Sequence, residues 1–382
     1  MKNTNRYFAA AALTILLAAA GARADINTGL DIRGRAFGAD ALSESGGKIS
    51  YFEQRSRFYF EGMLQKDVKA NVTLQNNGVW GRNGEDELFL DRACISAGGL
   101  LGLPLEASLG RQGCKLGDGL LINDDETGLS GVKFNASLPW GFNAAGASFK
   151  LIEASSASFA GGDSDRDISF ISLSRNALNG KATLTYFRDY DHTLSSATEL
   201  SLMDIRYESG KDREVQWVFE YAKSGSGGVD TSAMLARTTA YGDIYTLGEG
   251  NAFILFADAK EHFNNGAAFI NEEENFGEYY IRNRENGREN SLENLRILGA
   301  GFKSSVMNKP MKLLFNYFTY ELSAVDVQGM KELGKEMDIG MEYARTKNLD
   351  FRLIYSSFSR GEALSATGGK VTQILFETNL NF

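Results

Sequence analysis

Polar and apolar residues alternate along most of this chain. In "ILFETNLNF", at 374–382, Ile374, Phe376, Leu380 and Phe382 fall on one side, interrupted only by Thr378, while Glu377, Asn379 and Asn381 fall on the other. Successive strand side chains point to opposite faces, so this segment predicts a strand with one oily and one wet face. The pattern recurs about every 20 residues and gives about eighteen strands. They lie near 25–38, 49–64, 67–80, 86–97, 103–112, 128–138, 141–153, 166–175, 180–190, 199–208, 213–223, 231–241, 250–260, 292–303, 310–321, 335–345, 348–358 and 369–382. Each is about the ten residues that a tilted membrane strand needs, or slightly more. Segments 86–97, 166–175 and 231–260 are the least regular, so sixteen strands also fit. The predicted fold is all-β: a transmembrane antiparallel up-and-down β-barrel.

The connections alternate too. If the chain starts in the periplasm, the even-numbered strands end there, and the turns that follow are mostly short: "LQKD", "LPWG", "SSVMNKP", "ARTKN". The opposite set is longer, with "EASSASFAGGDSDR", "LSAVDVQGMKELGK" and a segment running from Glu261 to Ser291. Short periplasmic turns and long outer loops are typical of such barrels. Pro104, Pro139 and Pro310 all fall in or beside the short turns, where a missing N–H costs no ladder bond. The aromatic last strand is similar to the signal by which outer-membrane barrels reach their assembly machinery.

Residues 1–24 read as a secretory signal peptide. Lys2 and Arg6 precede an apolar run too short to span a bilayer, and "ARA" at 22–24 has the form of a cleavage site. The barrel domain is then 25–382. Mean hydropathy is −0.25, which a barrel allows because only alternate strand residues face lipid. Without Lys2, Arg6 and Arg23 the chain has 37 cations against 49 acids, a net charge of −12 that argues against nucleic acid as a partner. The expected surroundings are outer-membrane lipid and lipopolysaccharide of a Gram-negative cell.

Registers follow from energy. A cation on the lipid face near mid-bilayer costs about 2–4 kcal/mol, so each strand should turn its charged parity inward. This predicts pore-lining positions for Arg33 and Arg35, for Glu53, Arg55, Arg57 and Glu61, and for Lys69, Lys133 and Lys150. Later strands lean acidic, with Asp204, Glu220 and Asp338 among isolated Arg206, Arg296 and Arg352. Such charges either solvate and brace the lumen or form one basic and one acidic wall that orients a polar or anionic solute.

Residues 103–151 resemble the alginate export family of outer-membrane porins, through "LGRQ" at 109–112, "GDGLLI" at 117–122 and the strand opening "GLSGVKFN". The earlier "RSRFYFEGMLQKDVKANVTLQN" also fits. The resemblance implies a monomeric barrel of about eighteen strands with a charged pore, passing an acidic oligosaccharide. It also implies that Arg111 and Lys115 are constriction residues. Arg111 shares the lipid-facing parity of Leu105, Ala107 and Leu109, so it works inside only if Gly110 marks a bulge.

Other chemistry is sparse. The two cysteines, Cys94 and Cys114, and the two histidines, His192 and His262, form no recognisable metal site, and no cofactor is implied. Pairing about a centre near residue 100 would put Cys94 opposite residue 106, so a Cys94–Cys114 disulfide requires the chain after Gln112 to fold back. His192, near Ser195 in a predicted outer loop, is the one weak catalytic candidate, and the expectation is that the protein is not an enzyme. The alternative to a channel is an adhesin or scaffold acting through its long loops. The charged, aromatic segment 261–291 could serve that role or fold inward and gate a pore.

Overall fold

The computed structural model describes residues 25–40, 47–81, 88–117, 120–152, 165–192, 198–210, 214–224, 231–244, 247–261, 263, 276–280, 294–307, 309–325, 329–364 and 369–382. Residues 1–24, the expected signal peptide, lie outside them. The chain order begins β1 (Asp25–Asp40), β2 (Lys48–Gln65), β3 (Val68–Val79), β4 (Leu88–Ala97), β5 (Leu105–Leu116) and β6 (Ile122–Ser137). It continues with β7 (Phe142–Ile152), β8 (Arg166–Ala177), β9 (Gly180–Asp191), β10 (Thr198–Ser209), β11 (Val215–Ser224) and β12 (Thr231–Ile244). The last six are β13 (Gly248–Ala259), β14 (Leu295–Ser305), β15 (Met311–Leu322), β16 (Glu332–Thr346), β17 (Leu349–Arg360) and β18 (Lys370–Asn381).

Every strand pairs antiparallel with its chain neighbours, and β18 pairs back onto β1 from Asp31↔Asn381 to Ala39↔Gln373, which closes an 18-stranded barrel. Closure answers the edge problem, since no row of backbone groups is left to hydrocarbon. The last residue takes part: Phe382 N donates to Leu30 O at 2.8 Å, and Leu30 N donates back to Phe382 O at 3.2 Å.

Period-two alternation sets the two surfaces. Phe58, Ile95, Leu109, Val132, Ile171, Leu184, Ile205, Phe219, Ile254, Leu298, Ile339, Leu353 and Ile374 are all exposed and ring the outside as an apolar belt. Side chains at alternate positions face a lumen with a polar sector. The connections divide as the sequence predicts. At the end where β1 begins and β18 finishes lie the turns Lys66–Asp67, Leu178–Asn179 and Lys347–Asn348 and the 3-10 turns Leu100–Gly102 and Pro139–Gly141. The far end carries the long connections, including 153–165 and 260–294. Pro104, Pro139 and Pro310 all sit at the short-turn end, outside the ladders.

Candidate functional site in the barrel lumen

The first four strands line one sector with cations. Arg33, Arg35, Arg55, Arg57, Lys69 and Arg92 share the inward parity with Asp31, Glu53, Glu61 and Asp91. Neighbouring acids hold the guanidiniums against the wall. Arg35 pairs with Glu377 across the closing seam and with Glu53 at 3.5 Å, and Arg55 lies 3.8 Å from Asp31. Arg57 bonds Gln75 and lies 3.7 Å from Asp91, an extra residue where the β3–β4 register slips between Thr73 and Leu74. On β15–β18 the inward set is acidic, with Glu336, Asp338, Glu342, Asp350 and Glu377 beside Lys312, Arg352 and Arg360. Because β18 neighbours β1, the acidic and basic sectors are adjacent and meet at the Arg35–Glu377 pair, instead of facing each other across the pore.

Two segments leave the wall and enter the lumen. The first is the β5–β6 hairpin. Its register slips between Gln112 and Cys114, at Gly113, and resumes at Cys114↔Asp124 and Leu116↔Ile122. The slip lets the hairpin bend inward, as an extra residue bends a strand locally. Leu116, Leu120, Leu121 and Ile122 are buried against inward Phe149, Ile168, Phe187 and Leu202. Gly117, at φ 75°, lies so close to Glu220 that an added Cβ would be 1.9 Å from Oε1. Only glycine accepts both that backbone angle and that approach. The second segment is 276–280, part of the long β13–β14 connection. Phe276, Glu278, Tyr279 and Tyr280 are fully buried, and Tyr280 stacks on Phe358 with centroids 5.0 Å apart. Together they fill part of the lumen with an apolar plug.

A polar cavity of about 750 Å³ lies along β5–β10. Lys115, Lys133, Lys181 and Arg206 line it with Glu106 and Asp204, among hydroxyls such as Ser172, Ser174, Thr183 and Thr185. Arg206 reaches Glu208 at 2.9 Å and Glu220 at 3.8 Å, linking the cavity wall to the hairpin's contact.

Of the predicted pore residues, Arg33, Arg35, Glu53, Arg55, Arg57, Glu61, Lys69, Lys133, Asp204, Arg206, Glu220, Asp338 and Arg352 take the inward parity, and Lys115 reaches the cavity from the bent hairpin. Three do not. Lys150 pairs in the ladder with outward Ser130 and Asp167, and it bonds Asp165 and Asp167 on the outer side. Arg296 shares the parity of exposed Leu298 and lies 3.3 Å from Asp258 and 3.9 Å from Glu321. Arg111 keeps the parity of Leu109, because pairing runs unbroken through Gly110↔Gly131 and Arg111↔Ser130 and slips only after Gln112. Its Nε donates to the backbone oxygen of Asp91 at 2.8 Å. Gly110 does have φ 123°, but it shifts no register. Lys150 and Arg296 lie toward the far ends of their strands, where an outward side chain has left the hydrocarbon and its charge costs little; Arg111 is at mid-strand on β5, its guanidinium turned to the Asp91 backbone.

The segments Leu116–Ile122 and 276–280 are the lumen-filling elements that alternation misses. Their one sequence signal is glycine beside a hydrophobic or aromatic run, in "GDGLLI" and "FGEYY". Cys94 lies opposite Gly110, so the β4–β5 hairpin centres near residue 102 rather than 100, and Cys94 and Cys114 are not joined in a disulfide. His192 stacks on Tyr190 with centroids 4.5 Å apart, while Ser195 and His262 lie outside the described residues. Among the described residues no three His, Cys, Asp or Glu converge to hold a metal.

No protein-family model and no curated protein matches the sequence. Solved structures do. Acinetobacter baumannii OccAB4 superposes with a TM-score of 0.65 at 11% identity, covering 94% of this chain and 98% of that one. Pseudomonas aeruginosa OccK3 (OpdO) gives 0.63 at 14% identity, over 94% and 96% of the two chains. Pseudomonas aeruginosa OpdQ gives 0.62 at 15%, over 94% and 99%. The resemblance to alginate exporters thus carries no further than the barrel, and the chain has the closed 18-stranded fold of the Occ outer-membrane porins.

Proposed function

We propose that the protein is an outer-membrane channel for small polar solutes, with anions favoured. The observation that carries this reading is the polar cavity inside a closed barrel, where Lys115, Lys133, Lys181 and Arg206 outnumber Glu106 and Asp204. The inward arginines of β1 and β2 extend the same sign along the lumen. A low-dielectric wall strengthens such a field and concentrates solutes of opposite charge. The long connections face the outside of the cell and the short turns the periplasm, and the mature chain begins at Asp25.

An acidic oligosaccharide, as in alginate export, is the finer reading. The adjacent basic and acidic sectors favour a solute that tracks the arginine side of the pore, with hydroxyl groups along the cavity to bond it.

Single-channel conductance of the refolded protein in planar bilayers tests both readings, with K⁺/Cl⁻ reversal potentials and added uronate oligomers. Anion preference with oligomer block, weakened by Arg55→Ala or Arg57→Ala, supports the acidic-saccharide pore. Cation preference without block drops the saccharide and the anion bias. Absence of current from every variant leaves the long loops, and so an adhesin or scaffold, as the working part.

A further inference from the structure

We propose that the carboxylate of Glu336 is the latch that sets how far the lumen stands open, acting as a positioning residue through Phe276–Tyr280; this rests on the channel reading above. Glu336 faces inward from β16 and is fully buried. Its Oε1 accepts from the backbone N–H groups of Glu278 at 2.6 Å and Tyr279 at 2.7 Å, and its Oε2 accepts from that of Tyr280 at 2.9 Å. Three consecutive N–H groups therefore wrap one carboxylate, an arrangement that binds anions through backbone dipoles. Gly277 makes the wrap possible. It has φ 105°, and an added Cβ would be 2.1 Å from Tyr320 Oη and 2.9 Å from Glu336 Oε1.

Other side chains complete the hold. Tyr320 Oη lies 2.7 Å from Phe276 O and 3.0 Å from Glu336 Oε2, so its proton serves both segment and latch. Arg352 pairs with Glu278, Gln373 Nε2 donates to Glu278 O at 3.3 Å, and Tyr279 Oη donates to Asp40 O at 2.7 Å. The segment is thus tied to β1, β15, β16, β17 and β18, yet none of these contacts is a ladder bond. It can leave with the barrel intact.

Two opposed contributions set the balance between held and released states. Holding the segment satisfies Glu336 with charge-assisted bonds and buries Phe276, Tyr279 and Tyr280. Two residues along the same face, Asp338 is also fully buried, with Ser356 and the Glu336 carboxylate beside it. Releasing the segment would let water reach Asp338, Glu336 and Glu278 together, which offsets the bonds lost.

The test uses the full mature chain with Cys94→Ser and Cys114→Ser as the parent. Glu336→Gln keeps the shape but replaces a charged acceptor with a neutral one carrying its own N–H₂. Open probability in planar bilayers should rise about tenfold, equivalent to about 1.4 kcal/mol, with the urea midpoint of the barrel unchanged. Glu278→Cys with Arg352→Cys, oxidised, should hold the pore in its low-conductance state, and reductant should release it. The proposal is overturned if Glu336→Gln and the oxidised pair both conduct like a conducting parent, which leaves the channel reading standing. Silence from every variant, reduced or oxidised, overturns both. If Glu336→Gln fails to fold, the reversible thiol lock still decides.

Discussion

Ile254 offers the sharpest test of which face meets lipid. It is the seventh residue of β13, 63% exposed, with ladder partners Thr238 and Ala300. Replacing it with Arg places a guanidinium near mid-bilayer and should cost about 2–4 kcal/mol of folding free energy. The barrel already carries an outward arginine for comparison. Arg296 is four residues from Ala300 along β14, about 13 Å at strand rise. That is about 10 Å toward the far rim at a 40° tilt, close to the edge of an apolar band about 25 Å tall. Its charge should therefore cost only about 0–1 kcal/mol, and Asp258 and Glu321 lie beside it. The assay is reversible urea unfolding from lipid vesicles, followed by tryptophan emission and by heat-dependent gel mobility. Lys150→Arg serves as a rim control and should stay within about 0.5 kcal/mol. A cost below about 1 kcal/mol for Ile254→Arg would mean that this face is not in hydrocarbon, and would refute the register argument.

Three further outcomes follow from the lumen. Lys133→Glu should move the K⁺/Cl⁻ reversal potential toward cations, whereas Lys150→Glu, on the outer side, should leave it in place; equal shifts would refute the assignment of faces. Gly117→Val should dislodge the inward hairpin, because its Cβ would overlap the Glu220 carboxylate at a backbone angle valine disfavours. A loss of about 1–3 kcal/mol and a raised conductance are expected, and unchanged conductance would place the hairpin outside the solute path. Both thiols should alkylate in denatured, unreduced protein, since Cys94 and Cys114 form no disulfide; a single labelled thiol or none would contradict the hairpin geometry.

Strand existence was legible because lipid and water impose opposite demands at a period of two, so Ile374, Phe376 and Leu380 separate from Glu377 and Asn379 on sight. Loop lengths and the three prolines told the two ends of the barrel apart for the same reason. The inward charges of β1 and β2 were legible too, because an arginine at mid-strand has only one affordable side. That rule holds only at hydrocarbon depth. It fails for Lys150 and Arg296, near the far rim, and at Phe149 the parity is inverted because the bent hairpin makes the lumen locally apolar; Arg111 is the mid-strand exception, its Nε bonded to the Asp91 backbone. No local pattern announces that Gly113 will slip the register, that Gly117 will approach Glu220, or that Gly277 will let Glu278–Tyr280 wrap Glu336. Those contacts join residues 56 to 103 positions apart, and closure alone brings Arg35 onto Glu377. The sequence by itself determined the barrel and the division of its connections into a short-turn end and a long-loop end, and left its strand number at eighteen or sixteen. Tertiary structure decided what fills the lumen, because the partners that make a glycine or a glutamate functional arrive only when the sheet closes around them.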